Sequence, residues 1–232
     1  MIHFFRKIRE KLLAQGKITN YLVYASGEVV LVVLGILIAL YINNWNETRK
    51  NEIANKQLLV QLKEENTLNI HDLQQDLEYR DTINATLYAF HQFLKKEEIE
   101  NKPEELRSYL TAMLRATSYG PANNYLKKYI SSNTGSNSYL ATQLIKLDMD
   151  QSFLKTISTK ALDFKFEKYY DYLASDIDFE TMEIHSFDKL KKLEFQNNVI
   201  LLESIEEGVL DKFEDTFAQQ KLVDSLITLE LD

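Results

Sequence analysis

Between Tyr21 and Trp45 the chain reads YLVYASGEVVLVVLGILIALYINNW, and Glu28 is its only charge. Val29–Asn46 carries none. A helix needs about 20 mostly apolar residues to cross the hydrocarbon core of a bilayer. Tyr21, Tyr24, Tyr41 and Trp45 lie near the two ends, where aromatic belts form at membrane interfaces. A buried helix of a soluble protein is rarely so uniformly apolar. A cleaved signal peptide has a shorter apolar core and a small-x-small site after it, which this sequence lacks. The expectation is an uncleaved signal anchor, with one transmembrane helix over residues 20–45.

Charge on the two sides of this run is uneven. Residues 1–20 carry Arg6, Lys7, Arg9, Lys11 and Lys17 against Glu10, a net +4. Taking this and the −1 of residues 21–45 from the total of −8 leaves −11 for residues 46–232. Basic residues before an anchor favour a cytoplasmic N-terminus. The remainder is then expected on the far side, which for a bacterial inner membrane is the periplasm. So acidic a domain lacks the basic surface that nucleic-acid binding requires, and no nucleic-acid partner is expected.

Ahead of the anchor stands MIHFFRKIREKLLAQGK. Met1, Phe5, Ile8 and Leu12 fall on one helical face, and Arg6, Lys7 and Glu10 on the other. Gly16 suits a C-cap. This pattern predicts a short amphipathic helix over residues 1–16, lying on the inner leaflet. Phe5, Arg6, Lys7, Ile8, Arg9 and Leu12 are its candidate membrane-surface residues.

Within the anchor, Glu28, Val32, Gly35 and Ala39 share one face at 100° per residue, with Asn46 further along it. A carboxylate at the bilayer centre costs roughly 2.5–3.5 kcal/mol on insertion scales, and less near the headgroups. Gly35 and Ala39 form a small-xxx-small pair, which lets another helix backbone approach closely. The four residues are therefore the candidate intramembrane interface, either for self-association or for docking on another integral membrane protein. The plainer alternative has Glu28 reaching back to Arg9, Lys11 or Lys17.

The stretches FFRKIREKLL and YLVYASGEVVLVVLGILIALYINNWNE resemble the N-terminal signature of an uncharacterised family of small bacterial single-pass inner-membrane proteins. Its marks are a basic start, a Gly-Glu pair at the head of the anchor, a GILIAL core and an INNWNE exit. Residues 4–47 carry the likeness, echoed later by NNYLKKYISSNTGSNSYL and FEKYYDYL. The resemblance implies the topology above and no catalytic residue.

Beyond the anchor an all-α fold is expected. Only 6 Gly and 2 Pro punctuate the whole chain, too few for an all-β fold with its frequent turns. Asn46–Lys96 holds neither. Leu59, Leu62, Ile70, Leu73, Leu77, Ile83, Leu87, Phe90 and Leu94 make a seam along it, interrupted by Asn66, Asn69 and Arg80. This predicts one long helix, continuous with the anchor, as the first helix of a bundle or as a coiled-coil stalk. Pro103 suits the first position of a second helix. Gly120-Pro121 is read as ending that helix and starting a third. The Ser131–Ser138 stretch reads as a loop, with Ser138 capping a helix Tyr139–Leu147. Asp150 is expected to cap the next helix, to about Ala174, and a last helix is expected from Ser186 to Leu229. Tyr169, Tyr170 and Tyr172 crowd one turn and cannot all face inward; plain packing is expected, with a groove lined by one or two of them as the alternative.

Catalytic and metal motifs are not recognised. There is no Cys, and His3, His71, His91 and His185 stand in no HExxH or ExxH arrangement. Asp148 and Asp150 lack the rest of a calcium loop. No cofactor is expected. The expected role is a membrane-anchored helical interaction protein without catalytic chemistry, acting as a homo-oligomer or as an accessory subunit of a bacterial envelope complex. The alternative is a periplasmic helical sensor that binds a ligand and signals through a partner.

Overall fold

The computed structural model describes residues 6–7, 10, 18–96, 99–115, 117–133, 135 and 138–232. It is all-α, with five principal helices: α1 Ile18–Leu94, α2 Pro103–Leu114, α3 Asn124–Ser132, α4 Tyr139–Lys165 and α5 Leu193–Leu231. Two compact units divide the chain, residues 1–56 and residues 57–232.

In the first unit, Arg6, Lys7 and Glu10 are helical and exposed. Arg6 and Glu10 approach to 3.6 Å, one turn apart. The rest of the amphipathic segment 1–16, with Phe5, Ile8, Arg9, Leu12 and Gly16, lies outside the described residues. From Ile18 onward the unit is α1.

The second unit is an antiparallel helical bundle. Asn66 meets Gln220, Arg80 meets Glu206 and His91 meets Glu203, so α1 and α5 run in opposite directions. Lys146 meets Gln219, while Leu154 shares a core with Val209 and Phe213, so α4 and α5 are antiparallel too. The 57–94 part of α1 buries Leu62, Leu73, Leu87 and Phe90 within its own chain. It is thus the first helix of a bundle and not a stalk.

The core is layered. At one end Leu58, Leu62, Leu144, Leu147, Val223 and Ile227 pack together. A middle layer joins Leu73, Tyr119, Leu154, Val209 and Phe213. The far end gathers Leu87, Phe90, Leu106, Tyr169, Phe195 and Leu202. Polar side chains separate these layers. Glu65, Asn66, Gln151, Gln219 and Gln220 lie between the first two, and Arg80, Lys165 and Glu206 between the second and third.

The seam interruptions therefore have structural jobs. Asn69 donates to the Ala122 carbonyl at 2.8 Å and accepts from the Ala122 N–H at 3.0 Å. Glu65, though buried, accepts from the backbone N–H groups of Asn124, Tyr125 and Leu126 at 2.8–3.1 Å. A carboxylate against a helix N-terminus satisfies orphan donors and complements the helix dipole. Asn123, the residue at the usual capping position, makes no such bond with its side chain. The third helix thus starts at Asn124, later than Gly120-Pro121 suggests, because its cap comes from α1.

Two expected boundaries are corrected. Ser138 does cap α4, accepting from Ala141 N at 3.1 Å, but that helix runs on to Lys165. Asp150 lies inside it and caps nothing. The reason is a continuous buried face, Leu140, Leu144, Leu147, Gln151, Leu154, Ser158, Ala161 and Lys165, whose packing holds Asp150 in helix. A π-helical turn, Phe166–Tyr170, then leads into Asp171–Leu173. Widening this turn changes the angular spacing of the tyrosines. Tyr169 and Tyr172 both reach Phe195, with ring centroids at 5.4 and 6.1 Å. Tyr170 donates to the Leu114 carbonyl.

The last helix begins at Leu193 and not Ser186. Before it, β1 (Ile177–Asp178) pairs antiparallel with β2 (Glu183–Ile184). Asp178 Oδ1 accepts from the N–H groups of Glu180 and Thr181, and Met182 closes the loop at φ 55°. This small hairpin was not foreseen. Its strands are two residues each, too short to show an alternating pattern.

Candidate functional site

Two places combine unusual chemistry with exposure or burial. The first is the apolar part of α1. Val32, Gly35 and Ala39 are exposed and Glu28 is half-buried. A side chain added at Gly35 would meet nothing within 4 Å, so this face is open. Leu31 is 69% exposed and Ile38 58%, as much as the residues of the candidate interface. None of the most apolar window of this helix is buried by the chain. Among the described residues, α1 is the one helix long and apolar enough to cross a membrane.

The second place is the charged layer of the bundle. Arg80 comes from α1, Lys165 from the end of α4 and Glu206 from α5. All three are buried. Arg80 Nη1 donates to Glu206 Oε2 at 2.6 Å, and Nη2 donates to the Thr117 carbonyl at 3.3 Å. Its guanidinium stacks over Phe213, 4.3 Å from the ring centroid. Lys165 Nζ donates to the Arg115 carbonyl. Tyr79, Arg115, Thr117 and Ser158 complete a small cleft around these groups. It has room for about one water molecule.

Burial pulls the Lys165 ammonium down to a pKa of about 8; Glu206 opposes that shift and Arg80 adds to it. The Tyr79 phenol is pushed up, first by burial and then by the Glu206 charge. Asp76, one turn before Arg80, is raised by burial while Arg80 pulls it back. Such a layer can hold charge and orient a polar ligand. Among the described residues, no three His, Asp or Glu side chains converge to hold a metal ion.

Glu28, Val32, Gly35 and Ala39 are brought together as a single helical face, and no other described element completes a site there. Of the membrane-surface set, Arg6 and Lys7 are helical and exposed, and the others lie outside the described residues. The charged layer was missed from sequence except for Arg80. A signal existed. Lys165 follows Leu154, Ser158 and Ala161 at helical spacing, and Glu206 stands between Leu202 and Val209. A charge on an apolar stripe marks a buried ion, but only if the stripe is recognised as continuous through it.

No curated protein matches the chain. No solved structure matches it either. A family signature does, from Glu28 in the apolar run to Leu173 just after the π-helical turn, more than half of the sequence. The chain belongs to the family of unknown function DUF6090, over residues 28–173.

Proposed function

We propose that this chain is a membrane-anchored helical interaction protein, a homo-oligomer or an accessory subunit of a bacterial envelope complex. The observation that carries this is the apolar half of α1, whose most apolar window is left wholly unburied. Apolar groups over so large an area are not left in water. Lipid is the proposed surrounding, with the span over residues 20–45. The +4 of residues 1–20 supports a cytoplasmic N-terminus in the inner membrane, with the bundle in the periplasm. Basic residues Arg6 and Lys7 then face the headgroups of the inner leaflet.

Within lipid, most of the helix needs no partner. The face of Glu28, Val32, Gly35 and Ala39 differs: it offers a polar group and a small-xxx-small pair. Another transmembrane helix packed there would gain close backbone contact at Gly35 and Ala39. The role requires no catalytic chemistry of the chain's own.

The test is crosslinking in the native membrane followed by gentle detergent extraction. Self-assembly gives a species at an integer multiple of 27.1 kDa; an accessory role gives a second protein in fixed ratio. Gly35→Leu or Glu28→Leu is expected to abolish either species while the bundle stays folded. Undiminished assembly in both variants refutes the interface.

A further inference from the structure

The charged layer supports an inference beyond the interaction role. Three cations line the cleft, Arg80, Arg115 and Lys165, against one carboxylate, Glu206. Two of the cations, Arg80 and Lys165, are each at least 96% buried. Glu206 is already engaged by Arg80 at 2.6 Å, which leaves the ammonium of Lys165 hydrogen-bonded to a neutral carbonyl. Buried charge without a counter-charge is expensive. Three further polar atoms of cleft residues are buried without a hydrogen-bond partner: Arg80 Nε, Thr117 Oγ1 and Tyr79 Oη. The first is an obligate donor and the other two are hydroxyls able to donate.

We propose that this cleft binds a small monovalent anion of halide size, held by Arg80 Nε, Thr117 Oγ1 and Tyr79 Oη beside the Lys165 ammonium. The space suits it, since it takes about one water-sized group and excludes a phosphate or a metabolite carboxylate with its attached carbons. Charge favours an anion over a water, because water leaves the excess positive charge in place. The groups facing Lys165 are Arg80 and Tyr79 from α1, Arg115 from the segment after α2, and Glu206 from α5, with Asp76 half-buried further along α1. Counting Asp76, positive charge still prevails.

Binding is linked to the proton on Lys165. With a pKa lowered by burial to about 8 in the unliganded cleft, about ten in eleven molecules carry that proton at pH 7 and about one in eleven at pH 9. The anion concentration for half-saturation is therefore expected to rise about tenfold between these pH values.

The experiment is thermal unfolding of the full chain in detergent, in sodium chloride against sodium gluconate at equal ionic strength. Crystals grown in bromide are examined for an anomalous peak. The expected result is a saturable rise of Tm in chloride at pH 7, weaker at pH 9, and a bromide peak within hydrogen-bond reach of Arg80 Nε and Thr117 Oγ1. Lys165→Met should lose the chloride response. If that variant does not fold, Thr117→Val carries the same comparison and should at least halve the response. Equal Tm in the two salts overturns the proposal. So does a chloride response that both variants retain, or a cleft holding water alone in bromide crystals.

Discussion

Leu31 and Leu73 belong to the same helix, yet one is 69% exposed and the other fully buried. Around Leu31 the neighbours are apolar on every side of the helix; around Leu73 the apolar residues form a stripe. A stripe is matched by another helix, and the polar remainder faces water. An apolar circumference is matched by no described helix of this chain. The contrast also reverses for polar groups. The apolar run of residues 21–45 has one charged residue, Glu28, whereas the bundle buries Glu65, Arg80, Lys165 and Glu206 in its interior. Those buried groups have partners from distant parts of the chain, which is what makes them tolerable.

The most severe way to break the bundle is to unbalance its charged layer. Glu206→Leu leaves Arg80 and Lys165 without a carboxylate and is expected to cost about 3–5 kcal/mol in urea unfolding of the full chain. The double variant Arg80→Met with Glu206→Leu should cost clearly less than the two single variants added together. Simple additivity would show that the ion pair is not a unit.

The direct comparison is Leu73→Ala against Leu31→Ala. The first opens a hole in the middle layer and should cost about 2–5 kcal/mol. The second should leave bundle stability within about 0.5 kcal/mol. Equal losses would mean that the apolar half of α1 is buried by protein after all.

Removing the long-range cap is milder. Glu65→Ala should cost about 1–2 kcal/mol. Hydrogen exchange should accelerate at the amides of Asn124, Tyr125 and Leu126 first. Uniform acceleration across the bundle would argue against a local capping role.

The gentlest probe is pH, in chloride-free buffer. Lys165 has a pKa lowered to about 8 in the fold, against about 10.4 in an unfolded chain. Between those values the unfolded chain binds more protons, so stability should rise with pH, by at most about 1.4 kcal/mol per unit. Lys165→Met should remove that rise. Above pH 10 the buried Tyr169, its pKa raised by burial, acts oppositely: the unfolded chain loses the phenolic proton first, and stability falls. Alkaline unfolding curves of the parent and of Lys165→Met separate the two effects.

Much of the organisation is legible in the residues. Breaker-poor composition, the apolar run, Pro103 at a helix start and Ser138 as a cap each act through local sterics or local hydrogen bonds. The failures share one cause. Asp150 resembles a cap, but the buried face on both sides of it carries the helix through. The start of α3 depends on Glu65, 59 residues earlier. The π-helical turn of residues 166–170, with Tyr169 buried and Tyr170 and Tyr172 partly exposed, packs on Phe195 of another helix. None of these partners is near in sequence.

The sequence by itself determined that the chain is helical, where its apolar run lies and which face of that run is polar and small, because periodicity and composition act within a turn or two of helix. Tertiary structure decided which charges are buried, what caps α3 and how Arg80, Lys165 and Glu206 meet. Those outcomes depend on desolvation and on pairings between residues from 37 to 126 positions apart, which no local pattern records.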